Sequence, residues 1–308
     1  LAAECPWLDR DIWDESDHPL DRLTRRIGIE KRPTLLLGEG FRSATLLALA
    51  ALTPCRAAAP VIAPLRASKD AAELALLEVA GRHADQVMAE TAAALRPGLT
   101  EAQVARAILE RFDALGDHDA WAIVAGGPHS ALPHHMSSAR PLAEGEPVLL
   151  DLGAYHEGYG SDITRTFWLG APPAEFERVY QVVNEARAAG IAAVRAGVPA
   201  AAVDAAARGV IERAGYGPRF IHRTGHGVGL EIHEPPYLVA GNDAPLVAGM
   251  VHSVEPGIYL PGRFGVRLED LVVVEAGRGR RLNDAPFAPL APLEGPRVPA
   301  GAGRRAAE

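Results

Sequence analysis

Four carboxylates stand in or beside apolar runs of β type. Asp151 follows Pro147-Val-Leu-Leu, Asp162 precedes Ile163-Thr-Arg-Thr-Phe-Trp168, Glu255 follows His252-Ser-Val, and Glu269 follows Gly265-Val-Arg-Leu. Taken singly, each reads as an acid closing a strand or a turn. A carboxylate beside an apolar strand is costly to bury as an ion unless it is paired or metal-bound. If the two halves that carry these acids face each other, the four converge, and close carboxylates cannot all stay ionised without a compensating cation. Histidines supply a second signal. His222, His226 and His233 fall within Phe220–Glu234, where Gly225, Gly227 and Gly229 allow close backbone approach around His226. His18, His83, His118 and His252 read instead as surface or hydrogen-bonded structural residues. The glycines of 225–229 do not make a dinucleotide fingerprint, because Pro235-Pro236 follows where that motif needs a helix.

These side chains need elements to hold them. Ser68 to Leu95 is rich in Ala, Leu and Glu without an internal Pro, which predicts a helix of about seven turns. Thr100 and Gln103 then stand as N-cap and N3 of a capping box opening a second helix. The phrase Arg96-Pro-Gly-Leu-Thr-Glu-Ala-Gln-Val104 returns as Arg195-Ala-Gly-Val-Pro-Ala-Ala-Ala-Val203, again between two helical stretches. The expected class is therefore α+β, built from a duplicated helix-helix-strands half. Pro147–Asp151 and Ser161–Trp168 are expected to pair antiparallel, as are His252–Glu255 and Gly265–Val274. Residues 1–66 suggest a small αβ unit and Pro-rich linker, 67–284 the main domain, and 285–308 a disordered tail rich in Pro, Ala, Gly and Arg.

Composition narrows the function classes. The 308 residues are 48% hydrophobic and 23% charged, which is globular, and the net charge of −8 disfavours nucleic acid and anionic membranes as partners. The longest apolar run, Leu46–Leu52, is far short of a membrane span. An N-terminus without a basic start or apolar stretch points to the cytoplasm. Cys5 and Cys55 read as ordinary thiols.

Asp151, Ser161-Asp-Ile-Thr-Arg-Thr166, Thr224-Gly-His-Gly-Val-Gly229, His233-Glu234, Glu255-Pro-Gly257 and Gly265-Val-Arg-Leu-Glu-Asp270 together resemble the ordered motif set of the pita-bread metallopeptidases. The resemblance runs from about Ser68 to Asn283 and is nearest to the Xaa-Pro aminopeptidases (aminopeptidase P) and Xaa-Pro dipeptidases (prolidases). It implies a pita-bread fold with pseudo-two-fold symmetry, preceded by an N-terminal domain of which residues 1–66 look like the later portion. It implies five ligands, Asp151, Asp162, His226, Glu255 and Glu269, for two divalent ions, with Mn2+ favoured and Co2+ or Zn2+ compatible. Asp162 and Glu269 would bridge the ions, Asp151 would complete one, and His226 with Glu255 the other. A metal-bridging hydroxide would attack the Xaa-Pro bond at the N-terminus of a short peptide. Glu255 would take the proton, His134 and His233 would position substrate, and His222 would belong to the substrate pocket. His134 matches the family's segment in Ser130-Ala-Leu-Pro-His134, with His135 as its neighbour, although His129 stands where Asn is usual. His252 is unusual beside Ser-Val-Glu-Pro-Gly. Arg165 and Arg267 are expected to support ligand carboxylates, and the resemblance implies a homodimer.

Methionine aminopeptidases share the ligands but fit His222 and the Ser130–His134 segment less well. The intact ligand set counts against a metal-free creatinase-type enzyme and against a non-catalytic binding protein.

Overall fold

The structure, a computed structural model, describes residues 14–38 and 40–285. Cys5 and the tail from residue 286, expected to be disordered, lie outside the described residues. The chain divides into two compact units between Leu65 and Arg66. In the first, α1 (Pro19–Arg26), β1 (Leu35–Leu37), α2 (Ser43–Ala50) and β2 (Cys55–Ala57) precede α3 (Ala59–Ala67), which leads into the second unit. β1 and β2 pair in parallel, a geometry that needs a crossover, and α2 supplies it.

The second unit repeats one order of elements. α4 (Ala71–Ala94) and α5 (Glu101–Ala114) lead to β3 (His118–Gly126), β4 (Pro147–His156), β5 (Tyr159–Gly160) and β6 (Ile163–Trp168). α6 (Ala174–Ala193) and α7 (Ala200–Arg213) then lead to β7 (Gly225–Gly227), β8 (Glu234–Leu238), β9 (Val251–Val254), β10 (Gly257–Leu260), β11 (Phe264–Arg267), β12 (Asp270–Val274) and β13 (Gly279–Arg281).

The repeated phrase makes the same backbone bonds in both halves. Gly98 N–H donates to Leu142 O and Leu142 N–H to Leu99 O; Gly197 N–H donates to Leu246 O and Leu246 N–H to Val198 O. Glu101 and Ala102 bond back to Arg140 and Ser138, as Ala200 and Ala201 do to Ala244 and Asn242. Both glycines have left-handed backbone, with φ of 90° and 85°, so the turn uses Gly in each half.

Caps set the helix starts. Asp70 accepts from Ala72 and Glu73 N–H, while Glu73 reaches back to Asp70 N–H, so α4 begins after Asp70 and not at Ser68. Ser68 instead bridges to Met250. Thr100 and Gln103 form the expected box at α5.

β4 pairs antiparallel with β3 on one side and with β6 on the other, as expected for Pro147–Asp151 and Ser161–Trp168. Its period of two sends Val148, Leu150, Leu152 and Ala154 into a core with Val87, Met88, Ile108 and Phe112 of the helices. Asp151 is left on the opposite face. The second half differs from expectation at Gly265–Val274, which is two strands: β11 pairs with β10, and β12 pairs with β9 in a five-stranded sheet ordered β13-β12-β9-β7-β8. The break falls at Leu268-Glu269, where Glu269 N–H turns to Thr164 O of β6. After the glycines of 225–229 comes β8, not a helix. Among the described residues no helix is long and apolar enough to cross a membrane.

Candidate active site

The first half contributes Asp151 from the face of β4 turned away from its helices and Asp162 from just before β6, and the second half contributes Glu255 just after β9 and Glu269 just before β12. On β6, Ile163 and Phe167 enter the helix-facing core while Thr164 and Thr166 point the other way. Asp162, one residue before β6, shares the face of Thr164, which lies opposite Asp151 in register. Thr164 ties the halves together: its hydroxyl donates to Glu269 Oε2 at 2.7 Å, and its carbonyl accepts from Glu269 N–H at 3.1 Å.

The histidine segment is held from α7. Buried Asp204 accepts from the hydroxyl and N–H of Thr224 at 2.7 and 3.2 Å, while Arg208 grips Asp204 with two bonds of 2.9 Å and donates to His222 O at 2.8 Å. His226 follows on β7. Its Nδ1 faces Gly227 O at 3.2 Å, which places the ring proton there and leaves Nε2 as a lone pair, 3.4 Å from Glu255 Oε1 and 3.7 Å from Asp162 Oδ2. Burial, with His233 beside it, pushes the His226 pKa down to about 3, so the ring is neutral. Ser253 spans the same pair of residues, accepting from His226 N–H and donating to Glu255.

Asp151, Asp162, His226, Glu255 and Glu269 all line one cavity of about 610 Å³, and so do His134, His222 and His233. Every residue singled out by the sequence for ligation or catalysis is therefore in one place. Trp121, Ile123, Pro133 and Ile232 give the same cavity an apolar wall.

The residues fit divalent cations. Among the described residues Asp151 Oδ1 and Asp162 Oδ1 are buried without a hydrogen-bond partner, and side-chain atoms of Asp162, His226 and Glu269 lie within 4.8 Å of one another. Burial and then the neighbouring carboxylates hold the acids of Asp162 and Glu269 well above their ordinary range, and burial pushes Glu255 up to about 7 against the charge of Arg267. Cations bound among these groups would offset the negative charge that the cluster resists.

Beyond these five side chains, Arg267 of β11 donates to Asp151 of β4 and, at 2.9 Å, to the hydroxyl of Tyr259, which in turn donates to His222 Nε2 at 2.8 Å. Burial and the Arg267 charge take the His222 pKa down to about 3, consistent with a neutral ring that accepts from Tyr259 and donates from Nδ1 to Arg223 O. Arg165 lies away from the cavity, bonded to Glu269 O and paired with Asp270 at 2.8 Å. His252 is fully buried and does not line the cavity, its Nδ1 lying on Ser253 O.

Sequence reasoning missed Glu101. This buried acid accepts from Gly126 N–H, His129, His135, and both the N–H and hydroxyl of Ser138. These bonds overcome the upward push of burial and bring its pKa down to about 2. Glu101 thus pins both ends of the loop that presents His134, and His135 turns inward to Glu101 instead of joining the cavity. Its position after the Thr100 cap made it look like an ordinary first-turn acid. Ser253, Tyr259 and Arg223, which also lines the cavity, were missed because Ser, Tyr and Arg carry no ligand-like spacing.

Residues 75–276 match the model of metallopeptidase family M24. The chain belongs to that family. This M24 chain is 47% identical over 231 residues to "Probable dipeptidase PepE" of Mycobacterium tuberculosis, covering 74% of this chain and 62% of the relative. It is 42% identical over 216 residues to the Xaa-Pro dipeptidase of Lactobacillus delbrueckii, covering 69% and 59%. It thus spans about three-fifths of the length of these curated M24 relatives. The crystal structure of the prolidase from Thermococcus sibiricus superposes with a TM-score of 0.87 at 36% identity, covering 92% of this chain and 80% of that one. The mixed pita-bread architecture expected from the motifs is the architecture of this M24 chain.

Proposed function

We propose that this protein hydrolyses the Xaa-Pro bond at the N-terminus of short peptides with two divalent metal ions. The observation that carries the reading is the cavity itself, where two buried aspartate oxygens lack partners among the described residues and stand beside His226, Glu255 and Glu269. Asp151, Asp162, His226, Glu255 and Glu269 would hold the ions, and the oxygen-rich set favours Mn2+. When bound, such ions supply a water acidified toward neutral pH and a Lewis acid for the scissile carbonyl.

The chain's own residues do the rest. Glu255, at the cavity surface, accepts the proton of the attacking water. His134 and His233 stand in the same cavity as donors for the developing oxyanion and the leaving imide nitrogen. His222, its Nε2 taken by Tyr259, serves as a fixed wall of the substrate pocket. The apolar wall of Trp121, Ile123, Pro133 and Ile232 suits a proline ring, which has no N–H to satisfy.

The proposed setting is the cytoplasm, and the proposed assembly is a homodimer; a monomeric sedimentation mass would contradict the second. The functional test is hydrolysis of an Xaa-Pro dipeptide and an Xaa-Pro-Yaa tripeptide by Mn2+-loaded protein, with Glu269→Ala as control. Dipeptide cleavage alone identifies a prolidase and tripeptide cleavage an aminopeptidase P. Cleavage of neither, with Xaa-Ala peptides cut instead, rejects the proline reading.

A further inference from the structure

A second set of ligand-type side chains meets away from the cavity. Asp117, between α5 and β3, has a side chain only 2% exposed. Its oxygens meet two imidazoles. Nδ1 of His83, on α4, lies 2.9 Å from Oδ2 and 3.1 Å from Oδ1, and Nδ1 of His156, at the end of β4, lies 2.9 Å from Oδ1. Among the described residues no other donor bonds this carboxylate. That separates it from the Glu101, His129 and His135 group, where Ser138 and Gly126 also occupy the acid's lone pairs.

The atoms have the right chemistry and spacing for a small ion. Ligand atoms of His83, Asp117 and His156 lie within 4.8 Å of one another. Zinc bonds of about 2.0–2.1 Å in a tetrahedron put ligand atoms about 3.3 Å apart. Opening each short contact by a few tenths of an ångström therefore admits one ion, with each ring proton carried on Nε2. Two imidazoles and one carboxylate favour zinc, in contrast to the oxygen-rich cavity. The two rings are 21% and 22% exposed, which leaves water access to a fourth position.

We propose that His83, Asp117 and His156 bind one zinc ion through three protein ligands and a water, pinning α4 to the β3–β4 pair. The site is independent of the peptidase reading. The test is zinc per chain after equilibrium dialysis of the full chain, measured by mass spectrometry for wild type, His83→Gln and His156→Gln. Glutamine keeps a donor toward Asp117, and ions in the cavity are common to all three proteins and cancel. Each variant is expected to hold one zinc fewer than wild type and to lose part of the zinc-induced rise in melting temperature. Equal zinc in all three proteins overturns the proposal, whatever peptide hydrolysis shows.

Discussion

Arg267 of β11 donates to Asp151 of β4, so a cation from the second half of the main unit holds a carboxylate from the first at the cavity wall. Both side chains are buried, and the guanidinium extends the link through Tyr259 to His222. Removing one member of a buried ion pair typically costs about 3–5 kcal/mol because the other charge is left uncompensated. Arg267→Ala is expected to lower the unfolding free energy of metal-free protein by roughly 3 kcal/mol in urea titrations. Arg267→Lys should recover only part, since one ammonium cannot reproduce the fork to Asp151 and Tyr259.

Tyr259→Phe tests the far end of that link. It removes the donor to His222 Nε2 and leaves the ring volume unchanged. Loss of one such bond, about 1.4 kcal/mol, corresponds to roughly a tenfold drop in kcat/KM. Metal content should be unchanged.

The carboxylates make the metal-free protein pH-sensitive. Glu255 has its pKa raised to about 7 in the fold, above its ordinary value of 4.5, so the folded state holds a proton that the unfolded state has lost between these values. Stability from this group is present below pH 4.5 and is lost as pH rises through 7. Asp162 and Glu269 shift in the same direction. The gap in melting temperature between Mn2+-loaded and metal-free protein should therefore widen from pH 4.5 to pH 7; a constant gap would contradict this electrostatic account.

Much of this was legible in the residues. Asp151 and Asp162 announced themselves as acids on apolar strands, and the Thr100–Gln103 box and the repeated glycine phrase marked the helix starts and the duplication. The break at Leu268-Glu269 was not legible, because β-type residues continue on both sides and only the tertiary bond to Thr164 divides them. The helix expected from Ser68 starts only after Asp70, because the cap at Asp70 is closed by the reciprocal bond from Glu73. Glu101 stayed hidden because its partners, His129, His135 and Ser138, lie far along the chain and meet it only in the fold.

Glu101→Ala should therefore act on catalysis through the His134 loop. It leaves five donors without their acceptor, a loss of about 2–5 kcal/mol in stability, with kcat reduced about tenfold or more. Metal per chain should stay at the wild-type value, which separates loop positioning from ligation.

The cavity's reading as a metal-dependent peptidase site is tested most directly by stripping wild-type protein with a chelator and assaying Xaa-Pro peptide hydrolysis before and after adding Mn2+. Activity should disappear with the metal and return with it, while Asp162→Ala should neither retain the ions nor regain activity. Hydrolysis that persists in verified metal-free protein, or an Asp162→Ala variant as active as wild type, would contradict the account.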